Sequence, residues 1–370
     1  MADEIKIPVA NTAIGEPEAK AAYEAVKSGW VSSGPRVKEF EKEFCAATGA
    51  KHAVAVNNGT AALHTVLMAL GIKEGDEVII PSLTFISTAN VVLFQNAKPV
   101  LAECDARTYN ITAEEIEKRI TPKTRAIIPV DMNGMPVDYD AVLEAAEKHN
   151  VPVIADSAES LGAEYKGKKI GANAPIHCFS FFPNKNITTG EGGMITLEDD
   201  GLAERVRIIM NQGQEGRYNH TVLGTNYRMT DIQAAVGIEQ LKRLEGNVSA
   251  KQNLAERYNK AFEGRDDISV PFIPEYVTQH AWYMYAVSVA EEKRDGIVKG
   301  LGERGIGTRL SFPPIHAQPL YKEMFGFKEE DLPVTMKAWN KLIDIPLWAE
   351  LGEEKQDVVI GALLELLEKE

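Results

Sequence analysis

Only three cysteines occur in the 370 residues, Cys45, Cys104 and Cys178, and no two of them form a C-x-x-C pair. That spacing argues against a disulfide framework and a thiolate metal knuckle, and predicts buried free thiols in a reducing compartment. The seven histidines are equally dispersed, so no metal site is expected. No run of about 18 apolar residues marks a membrane span. The opening stretch MADEIKIPVANTAIG is acidic and broken by Pro and Gly, where a secretory signal would be basic and then apolar. A cytoplasmic protein is expected. Basic clusters are missing too: 54 acidic residues against 40 basic give a formal charge of −14 with no Lys/Arg block. The electrostatic footprint of nucleic-acid binding is absent, and no nucleic-acid partner is expected. One near-motif also fails. GAEYKGKKI, residues 162–170, has the glycine and lysine spacing of a P-loop, but Lys169 stands where a Ser or Thr must hold magnesium, and no helix pattern follows.

What is present is a globular composition, 44% hydrophobic and 25% charged, arranged in alternating patterns. Between residues 50 and 200 seven short β-rich runs recur: HAVAVNN, DEVIIP, KPVLAE, RAIIPVD, VPVIAD, HCFSFF and GGMITLE. Helical patterns with their own stops and caps lie between most of them, such as TAALHTVLMALG, TAEEIEKRI behind a Thr and DYDAVLEAAEKHN behind an Asp. Strand alternating with helix predicts a mostly parallel sheet covered on both faces. The last two runs are joined by SFFPNKNITTGEGG alone, too short for a crossover helix, so the seventh strand should run antiparallel. From Met229 a long helical pattern leads into a second, smaller α/β region. We therefore expect an N-terminal arm and large domain over residues 1–245 and a small domain over 246–370.

In an open parallel sheet, ligands bind at the carboxyl ends of the strands. The first strand ends at Gly59 and Thr60, which open a helix whose free N–H groups and dipole would suit a phosphate. VPVIAD ends at Asp156, a carboxylate that is costly to bury without a cation or strong donor, and Glu159 follows one helical turn later. HCFSFF ends at Ser180 and leads into Lys185, which could serve as a nucleophilic amine. Phe85 follows the second strand and could stack on a planar ring. Each has an ordinary reading as well: a capped helix start, a capping Asp, a solvated lysine, a core aromatic. Together, an anion nest, a carboxylate, an amine and an aromatic face match what pyridoxal 5′-phosphate (PLP) requires.

With these residues in place, the chain resembles the DegT/StrS family of PLP-dependent nucleotide-sugar aminotransferases over nearly its full length. The blocks that carry the resemblance are GWVSSGPRVKEFEKEF, AVNNGTAALH, IIPSLTFISTAN, ADSAESLGAEYKGKKIG, FSFFPNKNITTGEGGMI, LGTNYRMTDIQAAVGIEQL and PPIHAQPLY. The resemblance implies the type I PLP-transferase fold of aspartate aminotransferase, with a seven-stranded mixed sheet. It implies PLP held covalently as an aldimine on Lys185, which would also move protons, with Asp156 on the pyridine nitrogen. Gly59, Thr60 and Ser180 would bind the phosphate and Phe85 would stack on the ring. Glu159 would lie near the phenolic oxygen, as in perosamine-synthase-like members. Asn226 would reach the phosphate of a second subunit, implying a homodimer with shared sites. Substrate contacts are expected from Trp30, Ser32, Asn133, Arg228, His280, Arg309 and His316, while Ser311 and Phe312 depart from the His and Tyr common in relatives. The implied reaction passes the amino group of L-glutamate to a nucleotide-linked keto-sugar, a 4-keto-6-deoxyhexose in the first instance. A 3-keto-sugar or cyclitol ketone is the alternative, and a non-catalytic regulatory protein a further one. Lys185 argues against the dehydratase branch, which carries histidine there.

Overall fold

The computed structural model describes residues 6–369. After α1 (Glu16–Lys27) and α2 (Pro35–Thr48) the chain alternates through β1 (His52–Val56), α3 (Gly59–Ala69), β2 (Glu77–Pro81), α4 (Ser87–Phe94), β3 (Lys98–Ala102), α5 (Ala113–Glu117), β4 (Thr124–Ile127), α6 (Tyr139–Glu147) and β5 (Ala155–Asp156). A hairpin of β6 (Glu164–Tyr165) and β7 (Lys168–Lys169) precedes β8 (Ile176–Ser180) and β9 (Gly193–Leu197), and α7 (Asp200–Met210) and α8 (Asp231–Ala261) follow. The remainder holds β10 (Ile268–Ser269), β11 (Val277–Gln279), β12 (Tyr285–Val289), α9 (Glu291–Glu303), α10 (Pro319–Phe325), α11 (Pro333–Trp339), β13 (Leu342–Ile345) and α12 (Glu353–Lys369).

The strands of the large sheet read β3-β2-β4 in one ladder and β1-β9-β8-β5 in another. Parallel bridges Ile127–Val153 and Val130–Asp156 join the two. Within the sheet β9 runs against its neighbours β8 and β1, as the short β8–β9 connection requires. Gly193, where β9 begins, passes so close to the end of β1 that a Cβ there would lie 2.6 Å from the Asn58 carbonyl.

Alternation along the strands decides which side chain faces which helix layer. Ala53, Ala55, Ile79 and Phe179 face a core built with α2, α6 and α8. Val54, Val56, Val78, Ile80 and Cys178 face the opposite core, built with α3, α4 and α7. Helix starts follow the local chemistry: Asp138 caps α6, Asp199 caps α7, and Thr230 with Gln233 forms a capping box on α8. The cap of α3 is Asn58, whose Oδ1 accepts from Ala61 N at 2.8 Å. The Thr60 hydroxyl is thereby left to meet Ser87 Oγ at 2.8 Å.

The P-loop look-alike is a surface hairpin. Lys166 and Gly167 both have positive φ between the paired Tyr165 and Lys168, the geometry of a tight two-residue turn. The small sheet, β10-β12-β13, is antiparallel and shares a core with the far end of α8, α9 and α12. Helix α8 crosses residue 245 without a break, so a continuous helix rather than a loop joins the two regions. All three cysteines are free, with Cys104 and Cys178 buried and Cys45 half-buried.

Candidate active site

Strand ends from both halves of the large sheet, together with the loops before β12 and after α9, enclose a cavity of about 580 Å³. Gly59, Thr60, Phe85, Asp156, Glu159, Ser180, Lys185 and Arg309 all line it. The start of α3 lies directly on the end of β8: a Cβ on Gly59 would stand 2.9 Å from Ser180 Cβ. Glycine therefore keeps open a concavity where α3 N–H groups, the Thr60 and Ser87 hydroxyls and Ser180 meet, an arrangement that suits an anion.

Asp156 is buried, and its carboxylate accepts from Thr88 Oγ1 at 2.9 Å and from Ala158 N at 3.2 Å. Burial pushes its carboxyl above the usual range, while these donors and Lys185 pull it back. It makes no ion pair among the described residues, so a cationic ring nitrogen would supply the missing partner.

Lys185 extends from the loop after β8, its N–H bonded to the Phe182 carbonyl at 2.9 Å. Its Nζ lies 3.5 Å from Glu159 Oε1 and 3.9 Å from the centre of the Tyr283 ring. Burial on its own would favour the neutral amine, but Tyr283, Glu159 and Asp156 outweigh it, so the proton is held more tightly than on a free lysine. Glu159 is in turn fixed by Asn133 N, which donates to Oε2 at 2.7 Å. Burial raises its carboxyl, with Lys185 and Arg309 opposing.

Beneath Asp156 and Glu159 lies a buried acid, Asp131. It accepts from Tyr139 Oη at 2.7 Å, Ser157 Oγ at 3.0 Å, Ser160 Oγ at 2.5 Å and Val137 N at 2.9 Å. Ser157 follows Asp156 and Ser160 follows Glu159, so this one carboxylate fixes the segment carrying both cavity acids. Burial pushes the Asp131 carboxyl up to about 6 against those four donors. Unfolded, it titrates near ~4. The folded state thus holds the proton more tightly, and the group's contribution to stability falls as pH rises from about 4 to about 6. Urea unfolding of wild type and Asp131→Asn across that window should show a stability difference that changes with pH and levels off above it.

Other expected contacts lie outside the cavity walls. His280 is buried; its Nδ1 accepts from Trp282 N at 2.8 Å, and its ring stacks on Trp282 with centroids 4.1 Å apart. Burial pushes its imidazole down to about 3, so it is neutral. His316 is fully buried, 2.6 Å from Ser82 Oγ. Neither histidine is among the residues that line this cavity. Asn133 contributes its backbone N–H, with its side chain outside the walls. Arg228 bonds Asn211 Oδ1 at 2.7 Å, and Asn226 bridges to the same residue. Neither lines the cavity of its own chain, nor do Ser32 and the exposed Trp30.

Several residues in the site were not singled out by the sequence. Tyr283 and Thr88 are two. Arg309 is aligned by Asp344, which accepts from Nε at 2.8 Å, and by Tyr283 Oη 3.3 Å from Nη1. Its Nη2 has no partner among the described residues. Ser311 bonds Asp344 at 2.7 Å, so it supports this arginine, while Phe312 lines the cavity 5.3 Å from Phe85.

Residues 12–364 match the DegT/DnrJ/EryC1/StrS aminotransferase family. The chain is 41% identical over 374 residues to GDP-perosamine synthase of Caulobacter vibrioides, covering 99% of this chain and 100% of that one. It is 38% identical over 378 residues to the spore coat polysaccharide biosynthesis protein SpsC of Bacillus subtilis, covering 98% and 97%. Among solved structures it resembles the PLP form of Spr1654, assigned as a sugar aminotransferase, from Streptococcus pneumoniae, with TM-score 0.93, 29% identity and coverage of 98% and 99%. The chain belongs to the DegT/DnrJ/EryC1/StrS aminotransferase family and is a PLP-dependent transaminase with the α/β fold of that family. The cavity's residues fit the cofactor: a glycine-cleared anion cradle, an unpaired buried carboxylate and one amine.

Proposed function

We propose, taking this membership as the premise, that the chain transfers the amino group of L-glutamate to a nucleotide-diphosphate-linked 4-keto-6-deoxyhexose by way of PLP attached to Lys185. The observation that carries this reading is the convergence in one cavity of the Lys185 amine, the Asp156 carboxylate and the Gly59–Ser180 cradle. PLP supplies an electron sink that lets the amino-bearing carbon of donor and acceptor lose or gain a proton. The protein supplies the rest. Lys185 moves that proton, and Tyr283 and Glu159 hold its Nζ in place. Asp156 would keep the ring nitrogen charged. Gly59, Thr60 and Ser180 would hold the phosphate, Phe85 would stack on the ring, and Glu159 would lie near the phenolic oxygen. The Nη2 of Arg309, without a partner among the described residues, makes that residue a candidate for an anionic or hydroxyl group of the substrate.

The functional unit in this reading is a cytoplasmic homodimer, with Asn226 reaching the phosphate in a second copy. Its position outside its own cavity supports this, as does the exposure of Ile14, Tyr23, Trp30, Tyr218 and Leu223 on a single chain. The 4-keto preference is supported by the 41% identity to a GDP-perosamine synthase and by Glu159. The test is incubation with L-glutamate and GDP-, UDP- or dTDP-linked 4-keto-6-deoxy and 3-keto sugars, with 2-oxoglutarate and the amino sugar followed by mass spectrometry. A 4-amino product with one nucleotide series is expected. Turnover confined to 3-keto sugars or cyclitol ketones would reject the substrate assignment.

A further inference from the structure

Lys251 lies in the middle of α8 and is 5% exposed, yet it makes no ion pair among the described residues. Its Nζ donates at 2.8 Å to Asn186 Oδ1, the side chain next after Lys185. A buried ammonium held by a neutral amide is expensive, and an apolar residue would pack there at lower cost. The surroundings show what the lysine does. Asn247, one turn earlier on α8, donates Nδ2 to the Asn186 carbonyl at 3.3 Å. The Asn186 Nδ2 in turn donates to Leu161 O at 2.9 Å and to Ala281 O at 2.8 Å. All four bonds converge on one residue. Leu161 closes the segment that carries Asp156 and Glu159, and Ala281 lies two residues before Tyr283.

We propose that Lys251 is a positioning residue for the active-site lysine: through Asn186 it ties together the segments carrying Lys185, Glu159 and Tyr283. The proposal rests on Lys185 being the residue that bears PLP. The groups facing Lys185 are Tyr283, Glu159 and Asp156, all of which favour its proton. Burial, and then Lys185, push the Lys251 amine down to about 7. Its charge is therefore present below neutral pH and fades above it.

The test uses the full-length protein loaded with PLP, comparing wild type with Lys251→Met and Lys251→Gln. Methionine keeps the length and removes both charge and hydrogen bond; glutamine removes the charge and retains a donor for Asn186. The first readout is the pH midpoint of the absorption change of bound PLP, independent of turnover. It should move by about half a unit or more in Lys251→Met, where Asn186 loses its donor and the groups around Lys185 shift, and less in Lys251→Gln. The second is kcat, which should fall about tenfold in Lys251→Met and less in Lys251→Gln, with KM for the sugar nucleotide within twofold. An unmoved midpoint with kcat within twofold of wild type, whatever the loss in Tm, would overturn the proposal. Failure of both variants to fold would also overturn it, since positioning leaves the fold intact. A wild-type protein that binds PLP without attaching it to Lys185 would overturn both this proposal and the reading beneath it.

Discussion

Lys185→Ala is expected to lower transamination by about 10,000-fold or more, because a single nitrogen both attaches the cofactor and moves the proton in each half of the reaction. Other cationic groups nearby cannot replace it. Arg309 lines the cavity but stays protonated and is committed to Asp344 and Tyr283. Lys251 lies behind the wall, with its Nζ directed to Asn186. The loss should appear in kcat with L-glutamate and in single-turnover transfer to the sugar, since both halves use the same amine. Alanine also leaves the Glu159 carboxylate without its neighbouring cation, so its proton affinity should rise further. Activity that survives within about tenfold of wild type would exclude Lys185 from the chemistry.

Asp156→Asn should separate function from stability. The amide keeps the shape of the side chain and can still accept from one of the donors Thr88 and Ala158, but it cannot hold a charge opposite the cofactor's ring nitrogen. A fall in kcat of about 100- to 10,000-fold is expected, with KM for the sugar nucleotide little changed. Stability of the cofactor-free protein should move the other way. Burial raises the folded-state affinity of Asp156 for its proton above that of the unfolded chain. Its contribution is therefore fully present below the unfolded pKa and is lost as pH rises through the folded one. At neutral pH the carboxylate is a burden on the fold, so the asparagine variant should unfold at equal or higher temperature. Thermal melts of both apo proteins at pH 7 check this. A large drop in Tm alongside the drop in kcat would show that Asp156 serves the fold rather than the chemistry.

Much of this site could be read from the sequence because strand ends in a parallel sheet are marked locally. An apolar run stops, and the next polar residue lies at the carboxyl edge; Asp156, Ser180 and Gly59 were found that way. The antiparallel return of β9 was legible for a different reason, since the chain between Ser180 and Gly193 has no room to cross over. What the sequence hid depends on contacts distant along the chain. Tyr283 lies in HAWYMY, whose aromatic pattern reads as continuous strand, whereas Trp282 takes a φ of 50° and regular pairing starts only at Tyr285. His280 and His316 have the residue type of ligands, and nothing local in the sequence shows their contacts with Trp282 and Ser82. Lys251, in KQNLAERY, looks like one more charge on a solvated helix face. Its burial follows from where α8 crosses behind the Lys185 loop.

The most direct test of the central claim is where the cofactor becomes fixed. Wild-type protein incubated with PLP, reduced with borohydride and digested should yield one modified peptide, with the adduct on Lys185. An adduct on any other lysine, Lys251 included, or a protein that reduces without retaining cofactor, would contradict the account.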